Sequence, residues 1–314
     1  MKTLKLVLLS FIIVSLSLFL FLRNGSDHFV AQRLQKIPRE ERKCLELFFR
    51  SAFAWDQFGY TLYGDKPISV TGFHAPVTKS LDIDDMFDSV FGILDPNNLR
   101  KYQGWDVWEK YQYLFPMKNY VFVKSKNFVD NEYIAILFIN KKAFLKTVSQ
   151  HLDDFKAVLK EEITPELLLA RVLSSDDVFG DVLKNHQGLI GTVLGYGRDN
   201  ALLFHRREEV ISAEGKITAL LKGSKFSLMT LLKNQSDEEL EAIDRSLQLF
   251  DDRGILDFNP LLMMLPGFRA DPTTTETRAL KVKYEQEYRK IIRHYQKGDF
   301  LEITLQQMIS DNPS

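Results

Sequence analysis

Apolar residues along the chain fall into one uninterrupted run and several periodic stretches, and these set the elements to expect. Leu6–Leu22 reads LVLLSFIIVSLSLFLFL, fourteen apolar residues and three serines without a charge. It has no polar face, as a helix immersed in lipid requires. From Pro38, suited to a first helical position, a helix extends to about Trp55 and is apolar over most of its circumference. Tyr60–Tyr63 and Pro67–Thr71 read as two strands of a hairpin turned at Gly64-Asp65, with Pro67 starting an edge strand. Ser80–Leu94 and Asp95–Phe115 read as helices, the second bearing Trp105, Trp108 and Tyr111 at three-residue spacing. We expect this aromatic face to pack in the core. A sugar-stacking platform and a face laid on the bilayer are the alternatives.

A second hairpin follows, Tyr120–Val123 with Tyr133–Ile139, turned near Asp130-Asn131. Its second run is apolar at every position, so that strand should be covered on both faces. Beyond Lys141 the pattern is helical: 141–160, 164–173, 175–195, 198–211, Ser236–Phe250 with a Ser236/Glu239 capping box, and a long helix opened by a Thr273/Glu276 box and stopped at Gly298. On that helix Tyr284, Tyr288, Ile291 and Tyr295 form one seam, against the body or a protein partner on 273–297. The fold class expected is α+β, predominantly helical, with a small and mostly antiparallel sheet built from two hairpins, plus one N-terminal transmembrane helix. Residues 1–27 form the anchor. Residues 28–314 form one globular body, mixed α/β in 38–140 and helical in 141–314.

The apolar run could be a cleaved export signal or a retained anchor. Seventeen helical residues span about 25 Å, near the thickness of a hydrocarbon core, and Lys5 and Arg23 can reach the interfaces. A cleavable signal wants a shorter apolar region and small residues after it, whereas Arg23-Asn24 follow here. We read an uncleaved anchor with membrane contact through Leu6–Leu22. Lys2 and Lys5 favour a cytoplasmic N-terminus and a periplasmic or extracytoplasmic body, although Arg23, Arg33, Lys36 and Arg39 follow closely.

Composition removes some functions. With 41 basic and 42 acidic side chains the net charge is −1, so there is no basic excess for nucleic acid. The single cysteine, Cys44, permits no internal disulfide. Asp82, Asp84 and Asp85 resemble a calcium loop, but Met86 and Phe87 stand where a ligand and a glycine belong, so helix capping is the better reading. The six histidines show no metal-ligand spacing, and no hydrolase or zinc-protease motif is present. No cofactor or metal is called for.

The stretch His186–Glu209 is the most unusual. Gly188, Gly191 and Gly195 leave one helix face as bare backbone, and Gly197 permits a turn into a new helix at Arg198. An anion could lie on the amides of that helix start beside Gly195, Gly197, Arg198 and Asn200, with His205 as an acid–base group. Asp199 would repel such an anion, no strand precedes the glycines, and glycine at helix contacts is ordinary packing. His205 could instead pair with Glu209. Arg269 and Asp271 in PGFRADP could clasp a ligand or brace their own loop.

At FGYTLYGDKPIS (58–69), LGYGRDNALLFHR (194–206) and PGFRADP (266–272) the chain resembles a family of uncharacterised bacterial proteins with a similar N-terminal anchor. The resemblance implies an envelope protein and brings no activity, cofactor or catalytic residue. The expected function is therefore that of a non-enzymatic binding or scaffold protein tethered to the membrane. The alternative is an anchored enzyme for an anionic or phosphorylated substrate near Arg198 and His205.

Overall fold

The computed structural model describes residues 29–74, 96–126, 133–220, 227–250, 261–296 and 298–310. The expected span Leu6–Leu22 and the Ser80–Leu94 helix lie outside them. Among the described residues no helix is long and apolar enough to cross a membrane.

A helical turn at residues 29–34 leads into α1 (Arg39–Trp55) and α2 (Phe58–Tyr63), then β1 (Ile68–His74), α3 (Pro96–Tyr111), β2 (Tyr120–Lys126) and β3 (Tyr133–Asn140). The helical half contains α4 (Lys141–Gln150), α5 (Leu152–Leu159), α6 (Pro165–Ser174), a π-helical turn (Val178–Val182), α7 (Gln187–Val193), α8 (Arg198–Leu220) and α9 (Ser227–Ser246). The short strands β4 (Gln248–Leu249) and β5 (Arg269–Ala270) pair antiparallel, and α10 (Thr275–His294) and α11 (Phe300–Ile309) close the chain.

The three-stranded sheet has the order β1-β3-β2 and is antiparallel throughout. Successive side chains of a strand point to opposite faces, and β3 divides its residues accordingly. Ile134, Ile136 and Phe138 enter one core with α1, α2, α3, α10 and α11. Tyr133, Ala135, Leu137 and Ile139 enter a second core with α4 to α7. The sheet is thus a middle layer covered on both faces, as the unbroken apolar run of β3 requires.

Only one of the two expected hairpins forms, β2–β3. Residues 58–63 make helix α2, and β1 pairs with β3 instead. All six residues of α2 are buried, so the segment has no polar face from which a period of two could be enforced. Its conformation is fixed by distant partners: Tyr60 Oη donates to the Met264 carbonyl, and Tyr120 Oη donates to the Leu62 carbonyl. Pro67 does precede an edge strand.

Several boundaries also shift. The 141–160 helix breaks at His151, and 175–195 divides into the π turn and α7. Ser236 and Glu239 lie inside α9 rather than capping it. Thr274 rather than Thr273 caps α10, accepting the Thr277 amide at 3.2 Å. Trp105 and Trp108 are buried in the first core, which removes their face from any bilayer. Tyr284, Tyr288, Ile291 and Tyr295 are buried in the same core, so the α10 seam faces the body. Cys44 is partly buried against it.

Candidate functional site

The segments 58–69, 194–206 and 266–272 are far apart in sequence and meet at the turn between α7 and α8. Helix α7 ends in a Schellman motif: the Tyr196 amide donates to the Gly191 carbonyl at 3.0 Å and the Gly195 amide to the Thr192 carbonyl at 3.1 Å. Gly195 has φ 76° and Gly197 φ 90°, the left-handed conformation that glycine adopts without steric cost. The bare glycine face of α7 is covered by the next helix. A Cβ on Gly191 would stand 2.7 Å from Ala201 Cβ, and one on Gly188 would stand 2.8 Å from Leu202.

Three successive carbonyls of this turn each accept from a different side chain. Lys66 Nζ donates to Leu194 O, Tyr284 Oη to Gly195 O at 2.7 Å, and Asn200 Nδ2 to Tyr196 O at 3.1 Å. The next three amides, of Arg198, Asp199 and Asn200, donate to the Glu276 carboxylate at 2.8, 3.0 and 3.2 Å. The helix start expected to receive an external anion therefore holds one supplied by the chain itself, where a carboxylate also complements the helix dipole. Asn200 is buried and fully engaged: its Oδ1 accepts from the Asp271 amide and from Thr277 Oγ1, both at 3.0 Å. Asp271 in turn caps its own loop through Thr273.

Arg198 holds Asp154 in a two-point ion pair, Nε–Oδ2 at 2.5 Å and Nη2–Oδ1 at 2.8 Å, with Asp199 at 3.1 Å. The hydrogen bonds hold the Asp154 carboxyl below its ordinary range and raise the Arg198 guanidinium. His205 stacks on His186 with ring centroids 3.7 Å apart, and its Nε2 lies 3.7 Å from Glu209. His205 Nδ1 is buried without a partner. His186 accepts the Leu189 amide on Nδ1, capping α7, and burial with the neighbouring His205 lowers its pKa.

Lys66 is the least expected member of the site. Its side chain is fully buried, its ammonium lies 4.8 Å over the Tyr196 ring, and desolvation, aided by Lys283, lowers its pKa to about 7. Glu287 beside it accepts the Asp65 amide at 3.4 Å, and burial raises its carboxyl to about 7. Asp65 is paired to Lys283 and, at 3.5 Å, to Lys146.

Two clefts flank the turn. One, of about 170 Å³, is lined by Lys146, Gly195, Gly197, Arg198, Glu276 and Lys283. Its charged side chains largely neutralise one another through the pairs just described. The other, of about 240 Å³, is walled by Ile190, Leu194, Phe204 and the stacked rings of Tyr196 and Phe268, centroids 4.5 Å apart. Burial pushes the Tyr196 phenol up to about 12, so it stays protonated. Gln187 and Arg269 are the polar groups on this cleft that are not consumed in holding the turn. Arg269 is half exposed and only loosely paired, 3.7 Å from Asp244.

The structure thus divides the residues named from the sequence. Gly195, Gly197 and Arg198 line the first cleft, Asn200 and Arg269 the second, Asp271 braces the loop beside it, and His205 belongs to the histidine pair. Sequence reasoning missed Lys66, Glu276 and Tyr284, whose partners lie 128, 78 and 89 positions away. The one available signal was three short polar-and-glycine motifs without local explanation. Among the described residues no group of three or more His, Cys, Asp or Glu side chains could hold a metal ion. No protein-family model matches the chain, and neither a curated protein nor a solved structure matches it.

Proposed function

We propose that the chain is a single-span, membrane-anchored binding protein of the bacterial envelope, with its body on the extracytoplasmic side. Its ligand is a small, mostly apolar molecule bearing one acid group. The observation that carries this reading is the Tyr196–Phe268 cleft: an apolar wall, a rigid floor, and one incompletely paired guanidinium at the edge. Ligand sites have this character, apolar surfaces with a few placed polar groups. At about 240 Å³ the cleft is smaller than the roughly 300–1,000 Å³ of drug-sized sites, so it suits a compact ligand. The turn that forms the floor is held at three carbonyls and three amides, a preorganisation that lowers the entropic cost of binding. Membrane attachment rests on the unbroken apolar run Leu6–Leu22 and its flanking charges.

The test uses the full chain in lipid nanodiscs and 3-phenylpropionate as probe, read by saturation-transfer NMR. Gly267 lines the cleft and a Cβ there meets nothing within 4 Å, so Gly267→Leu adds bulk at the cleft edge without a clash at its first atom. We expect transfer to the ring protons in the wild type, reduced to the empty-nanodisc level in Gly267→Leu, and weakened several-fold in Arg269→Gln. Equal transfer in wild type and Gly267→Leu would remove the cleft as the binding site.

A further inference from the structure

The corner where the body begins combines three features. Residues 29–34 form a helical turn on which the Arg33 guanidinium stacks 3.7 Å from the centre of the Phe29 ring. Arg33 also donates to the Leu114 carbonyl, which ties this turn to the end of the α3 region and sets Tyr113 beside it. Tyr113 is 72% exposed and Phe29 37% exposed, although their neighbours Val30, Leu114 and Phe115 are buried in the core. Lys36 is exposed just beyond the turn, while Arg39 lines a neighbouring cleft with Glu40, Glu46, Asp299 and Glu302. An exposed tyrosine and phenylalanine among basic side chains is the composition favoured at the membrane–water interface, where amphipathic rings lie among headgroups and cations meet phosphates.

Chain length limits where this corner can lie. Six residues, 23–28, separate the end of the apolar run from Phe29. At no more than about 3.6 Å per residue they reach about 22 Å, and a headgroup layer itself occupies roughly 5–8 Å of that. That leaves Phe29 within about 15 Å of the headgroup surface, so the face that carries it is the one nearest the bilayer.

We infer that the corner formed by Phe29, Arg33 and Tyr113 lies on the lipid headgroup layer of the membrane that holds Leu6–Leu22, with Lys36 towards anionic lipid. The inference rests on the anchored reading above. It gives the basic residues that follow the span a role as headgroup contacts, in place of a signal that would reverse its orientation. It also replaces the Trp105–Tyr111 face, whose tryptophans are buried, with side chains that are exposed.

The full chain, with Cys44→Ala, is reconstituted into vesicles of three parts phosphatidylcholine to one part phosphatidylglycerol. A bimane label is placed on Tyr113→Cys or, as control, on Leu167→Cys. Leu167 is 43% exposed on α6, whose neighbouring Leu168 packs into the core on the opposite face of the sheet from Leu114. Headgroup spin-labelled lipid should quench the label at 113 at least threefold more than the label at 167. Equal quenching of the two labels, in chain that stays with the vesicles through alkaline carbonate, overturns the membrane-facing corner and leaves the anchor standing. Release of the chain by carbonate overturns the anchor and this inference with it.

Discussion

Glu276 shows how one residue can stand in two contexts. Its position three after Thr273 reads as the reciprocal cap of its own helix, yet its carboxylate caps α8 through three amides. Nothing local to Glu276 encodes this, because the three amides lie 76 to 78 positions earlier. Loss of an N-cap costs about 1 kcal/mol, up to about 2 where charge and helix dipole add. Glu276→Ala should lower stability by about 1–2 kcal/mol in urea denaturation, with Glu276→Gln between it and the wild type. An alanine variant as stable as wild type would show that these bonds add nothing.

Lys66 gives a pH dependence of definite sign. Its folded pKa of about 7 lies below the unfolded 10.5, so the unfolded chain binds more protons between these values. The contribution is complete above pH 10.5 and is lost as pH falls towards 7. Glu287 does not contribute over most of this range, since its raised pKa is also about 7. Measured against Lys66→Met, wild-type stability should therefore rise between pH 8 and 10 by about 1.4 kcal/mol per pH unit. Parallel curves for the two proteins would mean that the ammonium stays charged in the fold.

At the scale of elements, legibility followed local period. The unbroken run in β3 implied burial on both faces, as the two cores show, whereas α1, expected to be apolar around most of its circumference, buries one face in the first core and leaves Trp55 56% exposed. The α2 segment FGYTLY was misread because tyrosine, threonine and glycine favour other conformations locally, while its helix is held by Met264 and Tyr120 from elsewhere. The α7 glycines at positions 188 and 191 announced a close approach without naming the approaching element, which is α8. Gly104 carries no such sequence signal, yet α1 crosses α3 there. A Cβ on Gly104 would lie 2.3 Å from Phe48 Cβ and 2.7 Å from the Cys44 carbonyl. Neither obstacle is a flexible chain end. Gly104→Ala should destabilise the body by about 1–3 kcal/mol through overpacking, despite the better helix propensity of alanine. A stability gain in chemical denaturation would mean that the two helices separate freely.

At the scale of the whole molecule, the described residues form a sheet between two helical layers, with a clamped turn on one side. Their mostly helical character and small antiparallel sheet were readable from the sequence through local periods, but the pairing of β1 with β3 was not, because Ile68 and its partner Ile139 are far apart in the chain. The site was readable only in fragments: Gly195, Gly197, Arg198, Asn200, Arg269 and Asp271 are all near the turn, but their division between two clefts follows from partners such as Asp154, Asp244 and Glu276. Those partners decide which charges are spent. Arg198 is bound twice to Asp154, whereas Arg269, on the edge of the apolar cleft, stands 3.7 Å from Asp244. The central claim is that an acid with an apolar body occupies the cleft walled by Ile190, Phe204 and the stacked rings of Tyr196 and Phe268. Photolabelling of the full chain in nanodiscs with 4-azidobenzoate, followed by peptide mass spectrometry, tests it most directly. Adducts confined to 187–204 and 267–269, and abolished by excess 3-phenylpropionate, are the predicted result; adducts spread over other segments, or insensitive to the competitor, would contradict it.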